Sequence, residues 1–431
     1  MKTKRLCLKK FCISLLLVLA CTLSNQVGFC LENYSFTNTI QADTIENRLG
    51  VKSAQRLHEF DEYKNTLAYQ NNDGTKSIVI FQDDICYEDE NGSLREKDLS
   101  LIPTLNENLR SQRMAYQTAS SNLTAYYPTS LCDNAVLIQS GNYQLSMRPA
   151  TLSNSTVTID NRTALYYNVY GLNNSIAYRS TYSGMQYQII LNSAPNTFSF
   201  DQLFNFGEGT PVIENNCITI SMPNKNNPLI LKPTSITDSA GYSNDCLTLT
   251  MQQSTDGNNI VTIQADPTFF TASEIVYPVT LTVSISDSIA ANYITSASVY
   301  SNEASSTHGS LTYNDIGYNS TKGIARTYLK FDLSPLNNIQ YDNILSACYQ
   351  TEELTQSSGN SVAEVYFVKS SWSESSITWN NKPDYYGNEK VCTYNIANVR
   401  PALGQPIEYT HDTISQVRFR LGNRGCITME L

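Results

Sequence analysis

Histidine is nearly absent: there are three in 431 residues, His58, His308 and His411, widely separated in sequence. There is no His-Glu-x-x-His, no Gly-x-Ser-x-Gly and no glycine-rich phosphate loop. Zinc-protease, serine-hydrolase and nucleotide chemistry therefore lack their usual residues. A pair of carboxylates brought together from distant strands, as a glycosidase uses, stays open, because sequence spacing does not report on it. With no other catalytic constellation in view, the expectation is a non-catalytic protein that needs no cofactor.

Charge is sparse too, at 16% of residues, and its balance is acidic, with a formal net charge of −10. Five basic residues fall in the first ten, so the rest of the chain is more acidic still, which disfavours nucleic acid as a partner. No run of about 18 apolar residues occurs, so no transmembrane span is expected. The eleven cysteines contain no Cys-x-x-Cys spacing, and no histidine lies close to them in sequence, which removes the usual zinc and thioredoxin patterns. Beyond the leader lie Cys86, Cys132, Cys217, Cys246, Cys348, Cys392 and Cys426, an odd number that cannot all pair within one chain. Most are read as small buried hydrophobes, with one or two disulfides left open.

What is abundant is tyrosine, 28 residues, amid many Ser, Thr and Asn. That mixture suits half-exposed strands, and the chain is expected to be mostly β. Residues 1–30 have a basic start, an apolar run from Phe11 to Ala20 and a small, polar end, the pattern of an export signal. Val18-Leu19-Ala20-Cys21 resembles a lipoprotein cleavage box and makes Cys21 a candidate for lipidation, with simple cleavage between Ala20 and Leu31 as the alternative. The expected location is secreted or extracellular, at the cell surface or lipid-anchored.

Residues 31–125 are read as a hairpin-rich segment and linker, 126–289 as a β-rich domain and 290–431 as a β-sandwich. Asn72-Asp73-Gly74 and Asp89-Glu90-Asn91-Gly92 separate short apolar runs and predict tight hairpins. The second turn partly matches a calcium loop, but Tyr87 occupies its first ligand position and Asp98 its last, so calcium is not expected there. Residues 102–125 are weakly periodic and read as a short helix or exposed linker. Alternating strands follow around Ser183-Gly184, in 247–251 with 260–263, and after Pro278.

Both tryptophans lie in Ser371-Trp372-Ser373-Glu374-Ser375-Ser376-Ile377-Thr378-Trp379-Asn380-Asn381-Lys382-Pro383. Their odd separation would put them on opposite faces of a single strand, so a turn anchored by two rings is expected. Together with Arg326-Thr327-Tyr328-Leu329-Lys330-Phe331-Asp332-Leu333-Ser334, this string resembles the DNRLRE domain, or carbohydrate-binding module family 96, of secreted and wall-attached bacterial proteins. The resemblance runs from Asn292 to Leu431 and implies a jelly-roll β-sandwich. Its signature positions here are Phe331, Asp332, Trp372, Glu374, Thr378 and Trp379. Asn292 stands where an acid is common and Phe419 where a tryptophan is usual.

The preceding region resembles the β-rich part of wall-associated and Rhs-type surface proteins, without the Rhs repeats. It does so in 85–92 with Lys97-Asp98, in 177–187 and in 275–281. The resemblance implies a polysaccharide or cell-wall component as partner. A sugar site needs flat aromatic faces beside hydrogen-bonding side chains. Tyr313, Tyr318, Tyr385 and Tyr386, in turn-rich stretches with Asn314, Asp315, Asn319, Asp384 and Asn388, are the candidates. A structural or adhesive wall spacer that binds no sugar is the alternative.

Overall fold

The computed structural model describes residues 14–18 and 55–430 apart from short internal stretches, the longer of them 287–293, 310–313, 354–360, 397–406 and 413–426. The fold is mostly β. Of the expected export signal only Ser14–Val18 is described, a strand paired in parallel with Lys76–Ile80 and with Ser346–Glu353. Cys21 lies outside the described residues, as do Asn292 and Phe419.

Two large antiparallel sheets share one core. The first has eight strands in the spatial order Leu247–Gln253, Asn259–Ala265, Ser199–Asn205, Tyr143–Pro149, Val136–Ser140, Thr124–Pro128, Met114–Ser120 and Asp98–Pro103. The second has Ser175–Thr181, Gly184–Leu191, Val279–Ser286 and Leu229–Asp238 at its centre. Alternate residues of each strand point inward, so Ile138, Leu145, Phe204 and Ile263 of one sheet meet Ile176, Tyr187, Leu281 and Ile236 of the other in a single cluster.

Residues 102–125 do not form an exposed linker. They contain the expected short helix, Glu107–Ser111, capped by the Asn106 side chain, but then the strand Met114–Ser120, which pairs within the eight-stranded sheet. The strand escapes a periodicity reading because Gln117 and Thr118 are polar yet buried, and because its register shifts near Met114.

The predicted hairpins form. Thr66–Gln70 pairs with Lys76–Ile80, and Asp73 accepts from the Thr75 backbone and hydroxyl. Cys86–Glu88 pairs with Leu94–Glu96, and Asp89 accepts from the Asn91 and Ser93 N–H groups and from Arg95. Asp89 thus closes its turn, which fits a solvated hairpin tip.

Ser175–Thr181 and Gly184–Leu191 also pair as predicted, but they are buried on both faces rather than half-buried. Their outer face carries Arg179, Gln186 and Gln188, polar residues that conceal this burial from a pattern of apolar positions. Gly184, with a positive φ, sits so close to the Val279–Ser286 strand that a side chain would run into the Ile285 carbonyl.

One side chain ties the two sheets at their edge. Asn215 and Asn216 form the tight turn between Thr210–Glu214 and Cys217–Ser221, both with positive φ. Across the gap, Asn216 donates to Leu247 O and accepts from Leu249 N, both at 2.8 Å. Asn216→Gly keeps the turn geometry and loses only the clamp, and is expected to destabilise the sandwich by about 1–2 kcal/mol in calorimetry. An unchanged transition would show that the clamp is idle.

The N-terminal meander has its own small cluster of Leu67, Tyr69, Val79, Phe81, Ile85 and Cys86, against which Tyr182 of the sandwich packs. Lys97 Nζ donates to Tyr182 O at 2.6 Å. Beside it, burial pushes the Asp83 carboxyl up to about 6, with Asp84 adding to the rise and Lys97 opposing it. Folded protein then holds this proton more tightly than unfolded protein does, so stability is full below about pH 4 and falls as pH rises through 6. The gap from the usual carboxylate value corresponds to about 3 kcal/mol. Asp83→Asn should remove the loss between pH 4 and 6.5, read as limited proteolysis of residues 55–103. Identical pH profiles for the two proteins would contradict this.

None of the four cysteines whose side chains are described, Cys86, Cys132, Cys217 and Cys246, is in a disulfide. Cys86 is buried, Cys217 and Cys246 are half-buried and Cys132 is exposed in a turn, so the expectation that most cysteines are buried holds fully for only one of these four.

The C-terminal strands divide between two sheets. One has the order Ile294–Tyr300, Gly323–Phe331, Ile427–Glu430, Ser361–Val368 and Tyr385–Ile396, with Gly317–Asn319 added against Gly323–Phe331. The last strand in sequence is therefore inserted at the centre, an order compatible with jelly-roll connections. Ser346–Glu353 and Ile407–Asp412 pair with each other in a separate sheet, which also holds the N-terminal meander.

Candidate functional site

Along Gly323–Phe331 the side chains alternate between two environments. Ala325, Thr327, Leu329 and Phe331 are buried on one face, while Ile324, Arg326, Tyr328 and Lys330 share the other. The tryptophan segment lies over this second face. Trp372 meets Tyr328 edge-on at 5.9 Å, and Trp372, Ile377 and Trp379 pack with Ala297, Val299, Tyr328 and Val368.

As expected, the segment is a turn. Ser376 N and Ile377 N donate to Ser373 O, Thr378 N and Oγ1 donate to Asn381 Oδ1, and Asn381 Nδ2 returns to Ser376 O. Asn380 ties it to Ala304 O and Ser305 Oγ. Glu374 packs so tightly on Gly309 that any side chain there would run into it, and burial raises the Glu374 carboxyl. Phe331 is buried, and Asp332 accepts from Ser334 N to start the turn Ser334–Leu336. The signature residues are thus chiefly architectural. Both tryptophans are half-buried, and the Trp372 indole N–H is buried without an acceptor among the described residues.

What the scaffold presents is a stripe of rings and cations across the same face. Tyr318 pairs directly with Ile324, two residues before Arg326, so all three share one side of the sheet. The Arg326 guanidinium lies 5.3 Å from the Trp379 ring centre and 5.7 Å from that of Tyr385. Tyr385 lies 4.7 Å from Tyr366. Tyr366 donates to Glu364 at 2.7 Å, and Lys390 pairs with the other oxygen of Glu364 at 2.8 Å. Hydrogen bonding from Lys390 and then Tyr366 holds the Glu364 carboxyl below its usual range. Lys382 covers Trp379 at 4.1 Å while donating to its carbonyl. With two cations over it and the core beside it, Trp379 serves as an anchor, while Tyr318 is exposed and Tyr366 and Tyr385 are half-buried.

Of the four tyrosines singled out in the sequence, the structure brings Tyr318 and Tyr385 onto this stripe. Tyr318 is 77% exposed at one end, and its loop is fixed by Tyr300 donating to Asp315 at 2.7 Å, Asp315 N donating to Ser298 and Thr327 donating to Asp315 O. Asp315 is thereby engaged inside the module, and Asn314 accepts from Ser298. Tyr386, next to Tyr385 on one strand, falls on the opposite face with Lys369 at 5.8 Å. Tyr313 lies outside the described residues. Arg326 was seen only within the family string and Tyr366, Glu364 and Lys390 were not singled out; for the first three the signal was the alternation of polar with buried positions in strands 323–331 and 361–368.

A β-sheet face carrying one exposed and two half-buried tyrosines among charged hydrogen-bonding groups has the make-up of a sugar-binding surface. Residues 289–398 match the model of carbohydrate-binding module family 96, so this part of the chain is similar to that family, and the match contains every residue of the stripe. No curated protein matches the chain. No helix among the described residues is long and apolar enough to cross a membrane, and no group of three or more potential metal ligands occurs among them.

Proposed function

We propose that this is an exported, non-catalytic protein whose C-terminal module holds a polysaccharide along the stripe from Tyr318 to Tyr366 and Tyr385. The observation that carries the reading is the ring series itself, placed on one face within the matched residues and flanked by Arg326 and Glu364. Sugar rings offer an apolar face to tyrosine and a rim of hydroxyls to charged and amide groups, and an exposed site of this kind gives weak, repeated binding along a chain. The sandwich and N-terminal meander act as its carrier at the bacterial surface or outside the cell, with a cell-wall component as one form the polysaccharide could take.

The acidity of the chain as a whole favours neutral glycans. Locally, however, Arg326, Lys382 and Lys390 lie around the rings, which favours including carboxylated sugars. Co-sedimentation of the full chain with insoluble neutral and uronate-containing polysaccharides, with and without calcium, tests the proposal. Retention by at least one glycan is expected. Absence from every pellet would favour the spacer reading.

A further inference from the structure

The sandwich core is unusually rich in tyrosine for a region that needs only packing. Tyr127, Tyr166, Tyr178 and Tyr187 are fully buried, with ring centres 6.0–6.2 Å apart around Tyr178. A buried tyrosine differs from phenylalanine only by a hydroxyl that must find a partner. Most of the core hydroxyls do so within the protein. Tyr166 donates to Pro128 O and Tyr143 to Phe206 O, both at 2.7 Å, and Tyr127 reaches the sulfur of Met185 at 3.6 Å.

Two do not. The hydroxyls of Tyr178 and Tyr187, a directly paired couple on neighbouring strands with rings stacked at 6.2 Å, are buried with no partner among the described residues. From the opposite sheet comes Gln202, 0% exposed, whose Nε2 donates to the Tyr170 hydroxyl and whose Oε1 is likewise unpartnered. Tyr170 ties the group together: it donates to Asp201 O at 2.7 Å, and it interacts electrostatically with both Tyr178 and Tyr187. Two hydroxyls of one sheet and an amide oxygen of the other are thus buried without partners among the described residues, with Tyr170 bonded to the glutamine and in electrostatic range of both tyrosines.

We infer that Tyr178, Tyr187 and Gln202 form an internal polar site that binds water and bridges the two sheets through it. The chemistry is specific to a molecule that both donates and accepts: Gln202 Oε1 can only accept, whereas each tyrosine hydroxyl can do either. A buried water is held where it makes about two to four such bonds. An apolar guest would leave the same three atoms unsatisfied, and an ion would meet only neutral groups.

Tyr178→Phe and Tyr187→Phe, made in the full chain, separate this from a dry core because they remove a hydroxyl and keep the ring. If water is bound, each variant lowers the melting temperature by about 2–4 °C, and the double variant falls by less than the sum of the two, because the second change acts on a site already disrupted. If the hydroxyls are simply buried and unpaired, deleting them raises the melting temperature. The transition is followed by near-ultraviolet dichroism of the tyrosines, and a high-resolution crystal structure of the unaltered chain gives a reading independent of variant folding. Solvent within hydrogen-bond distance of at least two of the three atoms supports the inference. A site without solvent, or a raised melting temperature in both single variants, overturns it.

Discussion

Trp372→Ala is expected to lower the stability of the C-terminal module by about 3 kcal/mol, the lower end of the range for a buried tryptophan, because the ring is half-exposed. That is a large part of the roughly 5–15 kcal/mol by which a domain is stable. The loss arises from the edge-on contact with Tyr328 and the packing on Ala297, Val299 and Val368. Trp379→Ala should cost about as much, since it also strands Arg326 and Lys382 without the ring they lie over. Trp372→Phe should be much milder, because it keeps most of the packing and removes an indole N–H that has no acceptor among the described residues. The chain contains no other tryptophan, so intrinsic fluorescence reports this module alone, and each variant retains one probe. Unchanged melting of both alanine variants would mean that neither ring supports the fold.

Tyr385→Ala is expected to weaken polysaccharide binding about 10–100-fold, an effect of about 1.4–3 kcal/mol. The ring lies between Tyr366 and Arg326, so its removal interrupts the stripe at the middle and releases the guanidinium from its fixed orientation. Tyr318→Ala should weaken binding less, about 3–10-fold, because an end position covers fewer sugar atoms. Since Tyr318 is 77% exposed, that change should leave the melting temperature where it was. Tyr386→Ala, on the opposite face beside Lys369, is the control and should leave affinity unaltered. Calorimetric titration of the four proteins with one retained glycan gives the comparison, and equal losses at Tyr386 and Tyr385 would refute the assignment of the face.

Much of this arrangement was legible in the sequence because the turn chemistry is local. Asn72-Asp73-Gly74, Asp89 to Gly92 and Ser183-Gly184 specify their hairpins through side chains and glycines acting within a few residues. The odd spacing of Trp372 and Trp379 ruled out a single strand face, and the two rings do lie in a turn. What depends on long-range pairing was hidden. The buried outer face of Ser175–Leu191 carries glutamines and an arginine, which look solvent-facing in isolation. The strand Met114–Ser120 has polar residues at buried positions, so it passed for a linker.

The candidate site shows the same division. Tyrosines in turns could be picked out one by one, but which of them share a face follows from register, with Tyr318 opposite Ile324 and Tyr366 brought beside Tyr385. Adjacent residues such as Tyr385 and Tyr386 are separated by the pleat, a distinction that grouping by sequence neighbourhood erased. Arg326 was visible only as part of a family string, because its role depends on two rings more than 50 positions away.

The most direct test of the central claim is a crystal structure of the chain with an oligosaccharide cut from whichever glycan retains it. The sugar is predicted to lie across Tyr318, Arg326, Tyr385 and Tyr366, with at least one ring stacked on a tyrosine and a polar rim contact to Arg326, Glu364 or Lys390. An oligosaccharide seated elsewhere on the chain, with these side chains untouched, would contradict it.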